Sequence, residues 1–262
     1  IYKPNQNIKR FGNIIQTNEY SMRSLPLHNN ENRILVFGDS VLNGGSLTDQ
    51  SKLATTLLEN TIQKSCNPTS RILNISAGSW GPDNAFAYLK KYSDFNATQI
   101  ILVFSSHDAH DNINYEKVVG INPSYPSQNE CCALMDGFKR YFIPRVKGLF
   151  VHSDKKEFNK INKIDSSEIF NSGWADFFEY TKHHNIPLFV VLHPTVEEIK
   201  AKEYDENGKQ IIYFLNQNNI KHLLELNNTM EINFRDAIHY NDKGQEFLFN
   251  EMLPFIKQNI CN

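Results

Sequence analysis

Residues suited to acyl-transfer chemistry occur at widely separated places in this chain. The apolar run in "RILVFGDSVLNGG" stops on Gly38, Asp39 and Ser40. Such a run bounded by glycine reads as a buried strand of a parallel sheet, and positions just past its carboxyl end are where open α/β sheets place their chemistry. Ser40 is therefore a candidate nucleophile, although the same turn would suit Asp39 or Ser40 as a plain helix cap. Far downstream, "RDAIHYNDKGQEFL" sets Asp236 three residues before His239. That spacing brings both side chains to one side of a turn, so Asp236 can orient the imidazole. A serine hydroxyl becomes a competent nucleophile when a histidine accepts its proton, while the carboxylate fixes the tautomer and stabilises the imidazolium. A tetrahedral intermediate also needs donors for its oxyanion. The backbone N–H groups of Ser40 and of Gly78 or Ser79, in "NISAGSWGPDN", could serve, as could His107 in "VFSSHDAHDN".

These residues need a scaffold, and the hydrophobic pattern supplies one. Strand-like runs fall at Arg33–Phe37, Arg71–Ile75, Gln99–Phe104 and Pro187–Leu192, with a weaker one near Leu223–Leu226. Between the first four, helical spacing predicts helices over Ser51–Gln63, Asp83–Tyr92 and Trp174–Thr181. A last helix runs from about Lys243 and is expected to kink at Pro254. Alternating strands and helices mean an α/β fold, a parallel sheet with helices on both faces. The rhythm breaks at about 108–169, roughly sixty residues where a few would suffice, which reads as a lid or substrate-binding insertion. Within it "GFKRYFIPRVKGLF" interleaves aromatic and basic residues. Snorkelling basic side chains on an amphipathic segment explain that pattern, and a surface for a membrane or a polyanionic glycan is the alternative.

Composition narrows the partners. The 262 residues carry 27 Lys and Arg against 29 Asp and Glu, so no strong field argues for nucleic acid or an anionic membrane. No apolar run approaches a bilayer-spanning length and no signal peptide is seen. The chain starts at Ile1, so a removed upstream segment is an expectation. The four cysteines, Cys66, Cys131, Cys132 and Cys261, show no metal-finger spacing and leave the compartment open. Adjacent Cys131 and Cys132 would pair only with strain, and a Cys66–Cys261 bridge is open to the chain but not required by it.

Together the blocks "FGDS", "NISAGSWGPDN", "SSHD" and "DAIH" resemble, in order and spacing, the four signature blocks of the SGNH (GDSL-type) hydrolases, over about Arg33 to Gly244. The resemblance implies a flavodoxin-like three-layer sandwich of about five parallel strands, with residues 1–32 as a lead-in and 33–262 as the hydrolase domain. It implies Ser40 as nucleophile and first oxyanion donor, His239 as base and Asp236 as its orienting partner, with no metal and no cofactor. The family's second-block glycine aligns with Ser79 when anchored on "GPDN", or with Gly78 one step away. Its third-block asparagine is replaced by His107, whose ring can also donate but adds titration near neutral pH. The implied function is a serine esterase or acyltransferase acting on ester-linked acyl groups, with O-acetyl groups of a carbohydrate preferred and a lipid or short-chain ester second. Asp39, Trp80 and His193 are candidates for substrate contact; for Trp80 and His193 structural roles are equally open. The lead-in "NEYSMRS" resembles that of extracytoplasmic members that follow a membrane anchor.

Three rivals compete. "AGSWG" reads as a variant nucleophile elbow centred on Ser79, but that fold places several strands before its elbow and little chain precedes this one. The cluster His107–Asp111 could hold a hydrolytic metal with His193 or His239, although no established ligand spacing is met. The third is a non-catalytic glycan-binding module on the same fold.

Overall fold

Five apolar runs line up as one parallel sheet in the computed structural model, which describes residues 1–28, 31–113 and 169–261 with positions 120, 121 and 135. The chain divides into two units, Ile1–Ile113 with Asp165–Asn262, and Asn114–Ile164. Most of the expected insertion, including "GFKRYFIPRVKGLF", and the pair Cys131 and Cys132 lie outside the described residues.

In the first unit the chain begins with an antiparallel hairpin, β1 (Asn7–Arg10) and β2 (Asn13–Gln16). The main sheet comprises β3 (Asn32–Gly38), β4 (Ser70–Ser76), β5 (Gln99–Ser105), β6 (Leu188–His193) and β7 (Lys221–Leu224). Its order is β4-β3-β5-β6-β7, parallel throughout. Side chains alternate across a strand, and here both faces are covered. Leu35 and Phe37 point to one core with Leu102, Phe104, Val190 and Leu192. Ile34 and Val36 point to the other with Ile101, Val103 and Val191. The first core is closed by α3 (Pro82–Tyr92), α4 (Gly173–His184) and α6 (Glu206–Gln217). The second is closed by α2 (Ala54–Ser65) and α7 (Asp242–Ile260). This is the expected three-layer α/β sandwich.

Differences from the sequence reading are local. The weak fifth strand sits at Lys221–Leu224, and the next three residues form a 3-10 turn. Helix α2 begins at Ala54, after a separate 3-10 turn over Gln50–Lys52. Pro254 lies inside α7, which continues to Ile260. The polar lead-in holds the hairpin, which is tied to the segment after Ser40: Ile14 N–H donates to Asp49 Oδ2 at 2.6 Å and Asn13 Nδ2 to Ser46 O at 3.1 Å. Cys66, just past α2, is disulfide-bonded to Cys261, just past α7.

Parallel strands bring Gly38, Ser76, Ser105 and His193 to one edge of the sheet, where Gly38 pairs with Ser76 and Ser105 with His193. Gly38 is required there. A Cβ on it would lie 2.6 Å from Val103 O and 2.8 Å from Leu42 Cβ, both held by the fold. Gly38→Ala is expected to lower the unfolding free energy by about 1–3 kcal/mol through this overpacking, measured by urea titration; an unchanged midpoint would show that the turn yields.

Candidate active site

Ser40 opens α1 (Ser40–Asn43), a single turn that Asp39 caps by accepting the Val41 N–H at 2.8 Å. So short a helix leaves most of its backbone groups without internal partners, and distant side chains supply them. Asn74 Nδ2 donates to Leu42 O at 3.1 Å, and Gln245 Nε2 to Val41 O at 2.9 Å. Asn43 Nδ2 reaches Ser76 O at 3.0 Å, joining this turn to the one after β4. Beyond it, the buried Arg23 guanidinium donates to the carbonyls of Asn43, Gly45 and Thr48.

The second half arrives on the loop before α7. Asp236 Oδ1 accepts the N–H groups of Ile238 at 3.0 Å and His239 at 2.8 Å, while both carboxylate oxygens lie 2.9 Å from His239 Nδ1. His239 Nε2 is 2.9 Å from Ser40 Oγ. With its ring proton on Nδ1 toward Asp236, the imidazole presents a lone pair to the serine hydroxyl. Partial burial works to raise the Asp236 pKa, but hydrogen bonds from the His239 and Ile238 N–H groups and from the His239 ring outweigh it, holding the carboxyl below its usual range. Arg235 joins the halves: its guanidinium donates to Gly44 O at 3.3 Å and to Thr48 Oγ1 at 3.3 Å.

The remaining candidates separate clearly. Ser79 is exposed with φ of 57°, a left-handed backbone that favours glycine. Gly78 is also exposed, in open space. Trp80 is half-buried, its ring 5.9 Å from that of Tyr88. His107 stands half-exposed on the 3-10 turn Ser106–Ala109, whose base is fixed by Asp108 Oδ2 accepting the Ser105 N–H at 2.7 Å. Asp39 is buried, and burial raises its pKa against the opposing pull of His107.

Two expectations are corrected. His193 is fully buried, with Nδ1 2.8 Å from Glu225 Oε2 and Nε2 2.8 Å from Ile238 O, so it ties down the loop that carries His239 and has no exposed surface to offer a substrate. The cluster His107–Asp111 does not converge as one ligand set. His110 turns to Gln210 Oε1 at 3.0 Å, His193 and His239 are engaged as above, and Asp39 instead joins His107 and Asp108.

Sequence reasoning passed over the polar supports. Asn74 interrupts an apolar strand, and Gln245 interrupts the buried stripe Leu248, Met252 and Ile256. A polar residue within an apolar repeat is the signal that could have found both. Arg23 and Glu225 lie outside any such repeat.

No protein-family model matches the chain, and no curated protein matches its sequence significantly. Solved structures do match in fold. "TesA" superposes with a TM-score of 0.52 at 12% identity, covering 87% of this chain and 99% of that one. A lipase/acylhydrolase from Enterococcus faecalis gives 0.51 at 14%, covering 87% and 97%. The acetyl xylan esterase AlAXEase gives 0.50 at 14%, covering 86% and 99%. The chain has the fold of the SGNH (GDSL-type) hydrolases.

His193→Ala removes one partner of a buried pair and is expected to lower stability by about 3–5 kcal/mol, read by urea titration. In the folded variant the KM for a small ester should stay within about threefold. A raised KM at unchanged stability would restore the substrate-contact role.

Proposed function

We propose that the protein is a serine esterase working through an acyl-enzyme on Ser40. The observation that carries this reading is the unbroken line Asp236, His239, Ser40, with 2.9 Å between the ring nitrogens and their partners on each side. Ser40 Oγ attacks the ester carbonyl while His239 Nε2 takes its proton. The oxyanion is met by the backbone N–H groups of Ser40 and Ser79 and by the His107 ring. His239 then returns the proton to the departing alcohol, leaving Ser40 acylated. Water, or a sugar hydroxyl in an acyl transfer, then attacks the acyl carbonyl as it gives its proton to His239, which passes that proton to Ser40 Oγ as the bond between Ser40 and the acyl group breaks.

The preferred substrate is an O-acetyl group on a carbohydrate. Support comes from the accessibility of the site, since the His239 and Asp236 side chains remain 30% and 50% exposed and so can meet a group carried on a large polymer. The fold likeness to an acetyl xylan esterase points the same way. The Cys66–Cys261 bridge supports an oxidising, extracytoplasmic setting for such work.

The test uses purified protein and an activated acetyl ester. Ser40→Ala should lose about three orders of magnitude or more in turnover, and a serine-directed phosphonate should label the parent protein but not this variant. His107→Ala should slow turnover about a hundredfold and His107→Asn should recover much of it, because an amide can donate where the ring did. Ser79→Ala should keep most activity, since its backbone N–H is the group invoked. A dead Ser79→Ala beside an active Ser40→Ala would overturn the assignment. Mass spectrometry after incubation with acetylated glycans reads the substrate, and an unchanged glycan would remove the carbohydrate.

A further inference from the structure

Two buried carboxylates converge on one imidazole nitrogen beside Ser40. Asp39, 2% exposed, engages Oδ1 with the Val41 N–H and turns Oδ2 to 3.9 Å from His107 Nε2. Asp108, fully buried, engages Oδ2 with the Ser105 N–H and leaves Oδ1 3.6 Å from the same nitrogen. That Oδ1 has no hydrogen-bond partner among the described residues. A buried carboxylate oxygen without a partner is strongly disfavoured, and a second carboxylate alongside makes it more so. Three donor atoms, two of them carboxylate oxygens, thus lie within 4.8 Å of one another.

We infer that Asp39 Oδ2, Asp108 Oδ1 and His107 Nε2 form a binding site for a divalent cation of the zinc or manganese class. One imidazole nitrogen and two carboxylate oxygens suit these ions, whereas magnesium and calcium prefer oxygen alone. A tetrahedral centre with bonds of about 2.0–2.2 Å sets its donors about 3.3–3.6 Å apart, so the two spacings to His107 Nε2, 3.6 and 3.9 Å, need to close by about 0.6 Å or less, and the two carboxylate oxygens, within 4.8 Å, by about 1.5 Å at most. The His107 side chain is 46% exposed, which leaves the remaining coordination position open to solvent. The site differs from the run His107–Asp111 suggested by sequence, because it takes Asp39 from the nucleophile turn and leaves out His110 and Asp111. Coordination through Nε2 places the ring proton on Nδ1 and makes it a firmer donor. That kinetic consequence rests on the serine-esterase reading; the binding itself does not.

Chelator-treated whole protein titrated with zinc chloride or manganese chloride in a calorimeter provides the test. One equivalent of zinc should bind and raise the melting temperature. Binding should weaken at least about tenfold in Asp108→Asn and be lost in His107→Ala, a change at a half-exposed side chain whose fold is checked by circular dichroism. Failure of both ions to bind stoichiometrically would overturn the site and leave the carboxylate pair holding a proton. Undiminished binding in both variants would overturn it too, by placing the ion elsewhere. Phosphonate labelling of Ser40 in the metal-free protein is read in parallel, so failure of the esterase reading shows there and failure of the cation site shows in the calorimeter.

Discussion

The hydrogen bond between Ser40 Oγ and His239 Nε2 joins residues 199 positions apart, and a contact of that reach has to be carried by everything between its ends. Displacement of a reacting group by about 1 Å can remove a hundredfold of rate, so neither turn can be left to its own loop. The sheet fixes one end. Strand β3 pairs with β4 on one side and β5 on the other, and Ser40 follows it by two residues. Helix α7 fixes the other end, through Gln245. This fully buried side chain donates to Val41 O in the nucleophile turn and accepts the Ala54 N–H at the start of α2. One residue thus sets the distance between the helix that follows His239 and the turn that carries Ser40.

The same turn explains why a buried arginine is tolerated close to Ser40. A four-residue helix followed by left-handed Gly44 and Gly45 exposes several carbonyl oxygens at the end of a buried strand, and buried carbonyls need donors. Arg23 answers three of them with one planar, five-donor group. Burial pushes its pKa down to about 10, still above neutrality, so the guanidinium remains charged. Hydrogen bonds to a charged group contribute about 1.5–3 kcal/mol each, enough for three together to hold the loop against the desolvation of the cation. Arg235 repeats the device from the catalytic loop, so Thr48 is held by both: its carbonyl by Arg23 and its hydroxyl by Arg235.

What could be read from sequence follows from what is repeated in it. Strands buried on both faces have largely apolar centres, which is why four of them were legible nearly to the residue. Strand β7 carries only half-buried positions after an exposed Lys221, and its weaker pattern blurred its limits. The helices over Val196–Ala201 and Glu206–Gln217 were passed over, although Thr195 and Glu198 form a capping box and Asp205 caps the second. Their charged faces hide short buried stripes. The convergence of Ser40, Asp236 and His239 could be expected because those three residue types occur in that order at strand and helix ends. Their supports were not legible, because Arg23 and Glu225 act through partners far away in sequence, and no local pattern announces a partner.

His193 shows why position at the catalytic edge could not settle function. Among the described residues, two histidine–carboxylate pairs have almost equal geometry, His239 Nδ1 with Asp236 at 2.9 Å and His193 Nδ1 with Glu225 at 2.8 Å. Distance does not distinguish them; the other ring nitrogen does. In His239 it meets a hydroxyl that can give up its proton, whereas in His193 it meets the Ile238 carbonyl, which has none to give. Burial reinforces the division. The His193–Glu225 pair is wholly removed from solvent, where a hydrogen-bonded pair is held tightly and a group left without its partner is severely disfavoured. The half-exposed His239–Asp236 pair relies on fixed backbone donors for its orientation and stays reachable by substrate. Because Ile238 immediately precedes His239, the inert pair clamps the loop on which the reactive pair stands. The buried histidine therefore serves as the foundation of that loop, and the two rings differ in whether the second nitrogen faces a group with a proton to give.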